Sequence, residues 1–230
     1  MKLSFTLPPD HAAAPAAPIE AEITHCIIAG WSGRDRDAIE HHIEELAAIG
    51  VARPSAVPLF YRVAANQLSQ AAQIQVVGEE SSGEAEAFVF SHGGALMVSL
   101  ASDHTDRKLE AYSVALSKQI CAKPVAHEAW TFASVADHWD ALVLRSWITE
   151  KGQQVLYQEG TLDQLRTPQD LIGNCFGAPT LPEGHGMTCG TVTVRGGIRP
   201  SAAFTMELHD PVLNRRIRHA YAVTSLPEVA

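Results

Sequence analysis

Two acidic residues, Glu84 and Glu86, stand two positions apart at the start of an apolar run that is typical of a β-strand. Side chains at positions i and i+2 of a strand point to the same side, so the two carboxylates lie roughly 7 Å apart on one face. If that face is buried, two like charges are costly unless a cation neutralises them. Carboxylate oxygens suit Mg²⁺, Mn²⁺ or Ca²⁺, so the pair indicates a divalent metal site. The alternative is an edge strand with both glutamates in water.

A second candidate pair lies on a helix that the sequence predicts over residues 35–49. His42 falls inside the apolar stripe of this helix, and Glu45 falls at its border. A carboxylate beside an imidazole fixes its tautomer and stabilises its protonated form, so the pair could activate a water as a general base. The alternative is a core histidine on a helix with charges along its rim. The stripe is formed by Ile39, Ile43, Leu46 and Ile49.

Two further residues could serve the same chemistry. Asp103 follows an apolar run and precedes a helical pattern, a position that suits a metal ligand. It could equally be a helix N-cap, and Thr105 or Asp106 could share that role. Lys118 is a cation in a mildly apolar stretch, and its alternative is a surface lysine whose stem lies along the protein.

The segment 181–192 is predicted to form a tight turn followed by a strand that carries Gly190 and Thr191. The backbone amides near Gly190 and the hydroxyl of Thr191 could receive a carboxylate or carbonyl oxygen. A hairpin turn with an ordinary strand after it is the alternative.

Most of the chain is predicted to form short strands broken by Gly and Pro, with few helices. We therefore expect a β-rich α+β fold built as one unit around one sheet system. Residues 1–28 supply N-terminal strands and an Ala/Pro-rich link, and residues 29–230 supply the core. The predicted strands are 2–7, 19–28, 74–77, 85–90, 95–100, 141–148, 153–157, 187–194, 203–208 and 217–223. The predicted helices are 35–49, 108–118 and 168–176.

Composition excludes several classes of partner. The 230-residue chain has a net charge of −9 and no large Lys/Arg cluster, so we expect no nucleic acid to bind. The longest apolar runs are shorter than a membrane span, and the N-terminus lacks a signal-peptide pattern, so we expect no membrane association and a cytoplasmic location. The four cysteines lack zinc spacing and are expected to be reduced.

The order of these motifs over about residues 28–222 resembles the fumarylacetoacetate hydrolase superfamily. Glu84-Ala85-Glu86 is similar to that family's Glu-x-Glu metal pair, and the segment 103–107 is similar to its Asp-x-Thr/Ser-x-Arg motif. The other matching segments are Gly33-Arg34, the His-x-x-Glu of His42 and Glu45, Pro58-Leu59-Phe60, Lys118, Gln158-Glu159-Gly160-Thr161 and the segment from Glu183 to Thr191.

The resemblance implies a mixed-sheet β-roll of the fumarylacetoacetate hydrolase C-terminal domain type, present as a homodimer, with one catalytic domain over residues 1–230. It implies that Glu84, Glu86 and Asp103 hold Mg²⁺ or Mn²⁺, which chelates a small carboxylate substrate of the 2-oxo acid class. His42, oriented by Glu45, would activate the water. The residues implied to contact the substrate carboxylate and enolate are Lys118, Arg34, Arg107 and Thr191.

The chain departs from the family pattern at several places, among them Cys189 before Gly190 and the short segments from Glu86 to Asp103 and from Asp103 to Lys118. Glu110 stands where the family has a glutamine amide that faces the substrate, and Val192 replaces a proline. The leading hypothesis is a metal-dependent hydrolase that cleaves carbon–carbon bonds in small 2,4-dioxo or acylpyruvate-like acids. The alternatives are a 2-oxo acid decarboxylase, a 2-oxo-3-deoxy sugar acid dehydratase, or a non-catalytic binding protein that retains the fold.

Overall fold

The computed structural model describes residues 1–8, 17–48 and 53–229, without the side chains at 17, 38, 42 and 45–48. In chain order the strands are β1 (Lys2–Leu7), β2 (Ala17–Glu22), β3 (His25–Gly30), β4 (Leu59–Val63), β5 (Leu68–Ser69), β6 (Gln73–Val77), β7 (Ser81–Ser82), β8 (Ala85–His92), β9 (Ala95–Ser102), β10 (Thr105–Asp106), β11 (Lys123–Pro124), β12 (Trp130–Thr131), β13 (Val143–Glu150), β14 (Gln153–Thr161), β15 (His185–Thr188), β16 (Ala203–Asp210) and β17 (Arg215–Leu226). The helices are α1 (Arg36–Ala48), α2 (Arg107–Glu110), α3 (Val114–Gln119) and α4 (Pro168–Phe176).

Two mixed sheets form the body of the fold. One has the strand order β12-β9-β8-β15-β3-β4, in which only the β15–β3 pair is parallel. The other has the order β14-β13-β16-β17-β6, in which only the β17–β6 pair is parallel. The described residues also form three shorter strand pairs, which are β1–β2, β7–β10 and β5–β11.

Local sequence explains the main hairpins and the helix ends. Gly93 and Gly94 join β8 to β9, and both have positive φ, as a tight two-residue hairpin turn requires. Helix α4 begins after Thr167, whose side chain caps the helix, and it ends at Gly177 in the left-handed conformation. Asp35 accepts a hydrogen bond from the backbone N–H of Asp37 at the start of α1. These signals lie within a few residues of the elements they define.

Strand β8 is buried on both of its faces. Ala85, Ala87 and Val89 face a core that lies between the two sheets. The alternate residues Phe88 and Phe90 face a second core, which the β1–β2 hairpin covers. Because side chains alternate along a strand, Glu86 points to the same side as Phe88. The acidic end of β8 is therefore fixed by apolar packing on both sides.

Three predicted elements differ from the structure. The strand predicted over 19–28 is two strands, β2 and β3, which pair with different neighbours. The helix predicted over 108–118 is interrupted, because the side chain of Ser113 caps the new helix α3. The strand predicted over 187–194 ends with β15, and Gly190 beyond it adopts a φ of 92°. None of the helices in the described ranges is both long enough and apolar enough to span a membrane.

Candidate metal centre

An acidic cluster forms where the N-terminal end of β8 lies beside the C-terminal end of β9. Glu84, Glu86 and Asp103 each offer one carboxylate oxygen, and these three atoms lie within 4.8 Å of one another. The β8–β9 ladder continues past both strands, since the backbone N–H of Asp103 donates to the carbonyl of Glu84 at 2.9 Å. Glu86 and Asp103 are buried, with 3% and 0% of their surface exposed. The structure thus brings together the three carboxylates that the sequence predicts as metal ligands.

Glu86 lies in a site that disfavours its charge. Burial, with a further contribution from the nearby Asp103 and Glu84 carboxylates, raises the pKa of Glu86 to about 8. The backbone N–H of Gly190 donates to Glu86 Oε2 at 2.7 Å. A Cβ at Gly190 would lie only 1.8 Å from the Oγ of Ser32, so only glycine brings its backbone this close. Without a cation, Glu86 is held in its neutral form near pH 7.

Asp103 is paired with two buried lysines. Burial opposes its ionisation, but Lys118 and Lys123 outweigh that effect and lower the pKa of Asp103 to about 2. Lys118 Nζ donates to Asp103 Oδ2, and Lys123 Nζ lies 3.1 Å from Oδ1. Burial by itself lowers the pKa of Lys118, but the carboxylates of Asp103 and Glu84 raise it above its ordinary value. Asp103 is therefore a permanent anion at physiological pH.

Arg107 connects Glu84 to the start of α2. Its Nη2 lies 3.1 Å from Glu84 Oε1, and its Nη1 donates to Glu110 Oε2 at 2.9 Å. Its Nε donates to the hydroxyl of Ser82 at 2.7 Å. Burial acts to lower the pKa of Arg107, but Glu84 and Glu110 raise it well above its usual range. Glu110, predicted to face a substrate, is thus engaged with Arg107.

The residues of the cluster fit a hard divalent cation. Asp103 Oδ1 is buried without a hydrogen-bond partner among the described residues, because Lys123 lies close to it but not in donor geometry. Arg107 Nη2, which lies 3.1 Å from Glu84 Oε1, also makes no hydrogen bond among the described residues, and as a donor it needs an acceptor oxygen rather than the ion. Buried polar atoms of this kind need a partner, and an oxygen-only donor set is the one that Mg²⁺ and Mn²⁺ prefer. Glu84, Glu86 and Asp103 could hold such an ion.

Thr191 and Gln158 fix the backbone beside the cluster. The hydroxyl of Thr191 donates to the carbonyl of Ala85 at 2.7 Å and accepts from Gln158 Nε2 at 2.7 Å. Gln158 Oε1 accepts from the backbone N–H of Ala85 and from the hydroxyl of Ser146. Thr191 is predicted to contact the substrate, but in this structure its hydroxyl already makes hydrogen bonds with two protein partners. Both residues hold the first position of β8 in place.

Three other predicted residues are not brought to the cluster by any described contact. Arg34 makes a two-point ion pair with Asp140, at 2.8 and 2.7 Å, and donates to the carbonyl of Leu165. The backbone of α1 includes His42 and Glu45, but their side chains lie outside the described residues. The roles of Arg34, His42 and Glu45 stay predictions.

Two residues of the site were not predicted from the sequence. Lys123 is fully buried on β11, and Tyr61 on β4 lies with its ring centroid 5.7 Å from Lys118 Nζ. Burial raises the pKa of Tyr61, while Lys118 and a hydrogen bond with Trp31 oppose that effect. Trp31 itself has a φ of 54°, a rare conformation for a bulky residue. Neither Lys123 nor Tyr61 lies in one of the matched motifs, so no local sequence signal distinguishes these two residues.

Comparison with known families gives one match. Residues 29–221 match the family described as "Protein of unknown function (DUF2848)". No curated protein matches the sequence.

Comparison with solved structures identifies similar folds. The structure of Cg1458 with inhibitor has a TM-score of 0.67 at 14% identity, over 92% of this chain and 81% of that one. A hexagonal crystal form of 2-keto-3-deoxyarabinonate dehydratase has a TM-score of 0.63 at 16% identity, over 89% and 75%. The dehydratase complexed with magnesium and 2,5-dioxopentanoate has a TM-score of 0.64 at 14% identity, over 90% and 75%. The likeness confirms the predicted β-rich α+β fold of the fumarylacetoacetate hydrolase C-terminal domain type.

Proposed function

We propose that this chain, which belongs to the family described as "Protein of unknown function (DUF2848)", is a divalent-metal-dependent enzyme acting on a small 2-oxo carboxylic acid. One observation carries this proposal: Glu84, Glu86 and Asp103 meet in a buried cluster beside the ammonium of Lys118. The magnesium and the dioxo acid named for one protein of similar fold support both the metal and the substrate class. We favour dehydration of a 2-oxo-3-deoxy sugar acid as the reaction.

The residues of the cluster have distinct roles in this proposal. A bound Mg²⁺ would polarise the 2-oxo carbonyl of the substrate. Lys118, held by Asp103, adds a second positive charge that stabilises negative charge on the substrate oxygen. Arg107 Nη2 is ion-paired with Glu84 at 3.1 Å but makes no hydrogen bond among the described residues, so it could also donate to the substrate carboxylate. Glu84 and Glu110 keep the guanidinium in position for that contact.

Hydrolysis of a carbon–carbon bond is the second candidate, and the sequence pair His42 and Glu45 favours it. Dehydration and hydrolysis both develop negative charge on the 2-oxo oxygen, so the cluster serves a step that the two reactions share. Hydrolysis also needs an activated water, for which His42 is the proposed base. Decarboxylation of a 2-oxo acid and metal binding without catalysis are the remaining alternatives.

The proposal extends to the assembly. We propose that residues 1–230 act as one catalytic domain, in a cytoplasmic homodimer, as the resemblance to the superfamily implies. Light scattering at low and high protein concentration would measure the oligomeric state, and a monomer at both would contradict this part of the proposal.

Product analysis tests the function directly. The protein with Mg²⁺ is incubated with 2-oxo-3-deoxy sugar acids, acylpyruvates and oxaloacetate, and the products are followed by NMR. Water loss from a sugar acid supports dehydration, whereas a cleaved acylpyruvate supports hydrolysis. Glu84→Gln and Asp103→Asn are expected to lose both turnover and Mg²⁺ binding.

A matched control separates the cluster from general charge effects. Glu183 binds Ser91 at the opposite end of β8, so Glu183→Gln is expected to keep turnover and Mg²⁺ binding. If the wild type binds Mg²⁺ but converts none of these acids, the non-catalytic alternative is favoured. If it does not bind Mg²⁺ at all, the proposed metal dependence is wrong.

A further inference from the structure

Lys123 is a buried cation to which no reaction step has been assigned. Its side chain is fully buried on β11, and Nζ donates to the carbonyl of His104. The same Nζ lies 3.1 Å from Asp103 Oδ1, the buried oxygen that makes no hydrogen bond with the described residues. Lys123 therefore contacts one of the three carboxylates that would bind the metal.

The charges around the cluster nearly cancel before any ion binds. Lys118 and Lys123 both pair with Asp103, and Arg107 pairs with two glutamates, Glu84 and Glu110. Among the described residues, Glu86 alone of the three cluster carboxylates has no ion-pair partner, and its hydrogen bond comes from a backbone N–H.

Four carboxylates and three cations leave one net negative charge when all are ionised. A divalent cation would then make the site positive by one charge. A ligand with a single carboxylate would bring it to neutrality.

Lys123 is one of the three cations that set this net charge, and it is the one to which the proposed function gives no contact with the substrate. Without its ammonium, the site would already be neutral with the metal alone. With it, the metal-loaded site carries an uncompensated positive charge in a buried environment, which is unfavourable until an anion arrives.

On the basis of the proposed function, we propose that Lys123 couples metal binding to substrate binding, so that the free protein holds the metal weakly and holds it tightly only with an anionic 2-oxo carboxylate. Lys123 is not a catalytic residue in this scheme, because it contacts Asp103 rather than the substrate and acts through its charge. The ligand class is a small acid whose carboxylate and adjacent carbonyl can share the ion.

Calorimetric titration with Mg²⁺ tests the coupling in the full chain. The probes are pyruvate, which carries the charge, and pyruvamide, which has the same shape without it. We expect pyruvate to raise the Mg²⁺ affinity of the wild type by about tenfold or more, and pyruvamide to change it by less than about threefold.

Substitution of Lys123 should remove the coupling. An ammonium about 5 Å from a dication repels it by more than the energy of a tenfold change in affinity, even at an effective dielectric of about 20. Lys123→Met is therefore expected to bind Mg²⁺ alone at least about tenfold more tightly than the wild type, with little further gain from pyruvate. Lys123→Arg keeps the charge and is expected to keep the coupling. Lys108 is an exposed lysine paired with Glu228, and Lys108→Met is the control that should behave as wild type.

The outcomes distinguish this inference from the proposed function. Unchanged or weaker Mg²⁺ affinity in a folded Lys123→Met variant would overturn the role of Lys123, although Asp103→Asn would still have lost the metal. If Lys123→Met does not melt cooperatively, the titration of the wild type alone tests the coupling. Equal effects of pyruvate and pyruvamide on its Mg²⁺ affinity would overturn the coupling. Absence of turnover with intact coupling would count against the enzyme proposal alone.

Discussion

Substitution of Glu86 by glutamine should make the metal-free protein more stable at high pH. Glu86 has an ordinary pKa of 4.5 when unfolded and a pKa of about 8 in the fold, because burial and two neighbouring carboxylates disfavour its charge. Glutamine has nearly the same shape, and its amide oxygen can still accept the hydrogen bond from Gly190. It cannot ionise, so the variant removes the charge and keeps the contact.

The sign and size follow from proton linkage. A group whose folded pKa is raised favours the fold fully below its unfolded pKa, and this contribution is lost as the pH rises through the folded pKa. For Glu86 the window runs from pH 4.5 to pH 8. Between pH 5 and pH 8 the loss amounts to roughly 3 kcal/mol at 1.36 kcal/mol per pH unit, because part of the shift from 4.5 to about 8 takes effect below pH 5 and above pH 8.

Urea unfolding in EDTA at several pH values measures this effect. The observable is the free energy of unfolding of Glu86→Gln minus that of the wild type, which is expected to increase by roughly 3 kcal/mol between pH 5 and pH 8. Taking the difference removes the contribution of His104, which is present in both proteins. Burial lowers the pKa of His104 to about 3, so that group destabilises the fold as the pH falls below its ordinary value of 6.5.

A difference that stays flat across this range would refute the reasoning, since it would mean that Glu86 ionises in the fold as easily as in the unfolded chain. Excess Mg²⁺ gives an internal check. It is expected to restore wild-type stability at pH 8 and to stabilise Glu86→Gln much less.

Three further outcomes are expected. Gly190→Ala, which places a Cβ against Ser32 at a φ of 92°, should cost about 2 kcal/mol or more in urea unfolding, whereas Gly173→Ala, in open space on α4, should be neutral or stabilising. Gln158→Leu should cost about 3 kcal/mol and weaken Mg²⁺ binding in calorimetry, because it leaves several buried groups at the start of β8 without partners. His42→Ala should keep Mg²⁺ binding and abolish any hydrolysis of acylpyruvates, while unchanged hydrolysis would exclude His42 as the base.

The acidic cluster could be predicted because its parts are local. The alternation along β8 places Glu84 and Glu86 on one side, and the Gly93-Gly94 turn sets the register that brings Asp103 beside them. Helix α4 was predicted with its observed bounds, because a capping threonine, a first-turn proline and a terminal glycine mark it. Such features depend on neighbours in the chain.

The rest of the site depends on contacts between distant segments. Lys123 looks like any lysine beside a proline, and it is buried against Asp103 only because β11 pairs with β5 and packs against β9. Tyr61 reaches Lys118 because α3 packs on β4. The interruption of the helix at Ser113 arises because a local side-chain bond competes with helix continuation, which hydrophobic periodicity does not register.

The two-sided burial of β8 has an evolutionary consequence. A one-residue insertion or deletion within this strand would send Glu86 into the apolar layer between the sheets and turn Phe88 away from the hairpin that covers it. Relatives with new specificities should therefore keep the length of β8 constant. Their diversity should accumulate in described loops outside the two sheets, where the chain can lengthen without disturbing the ladder.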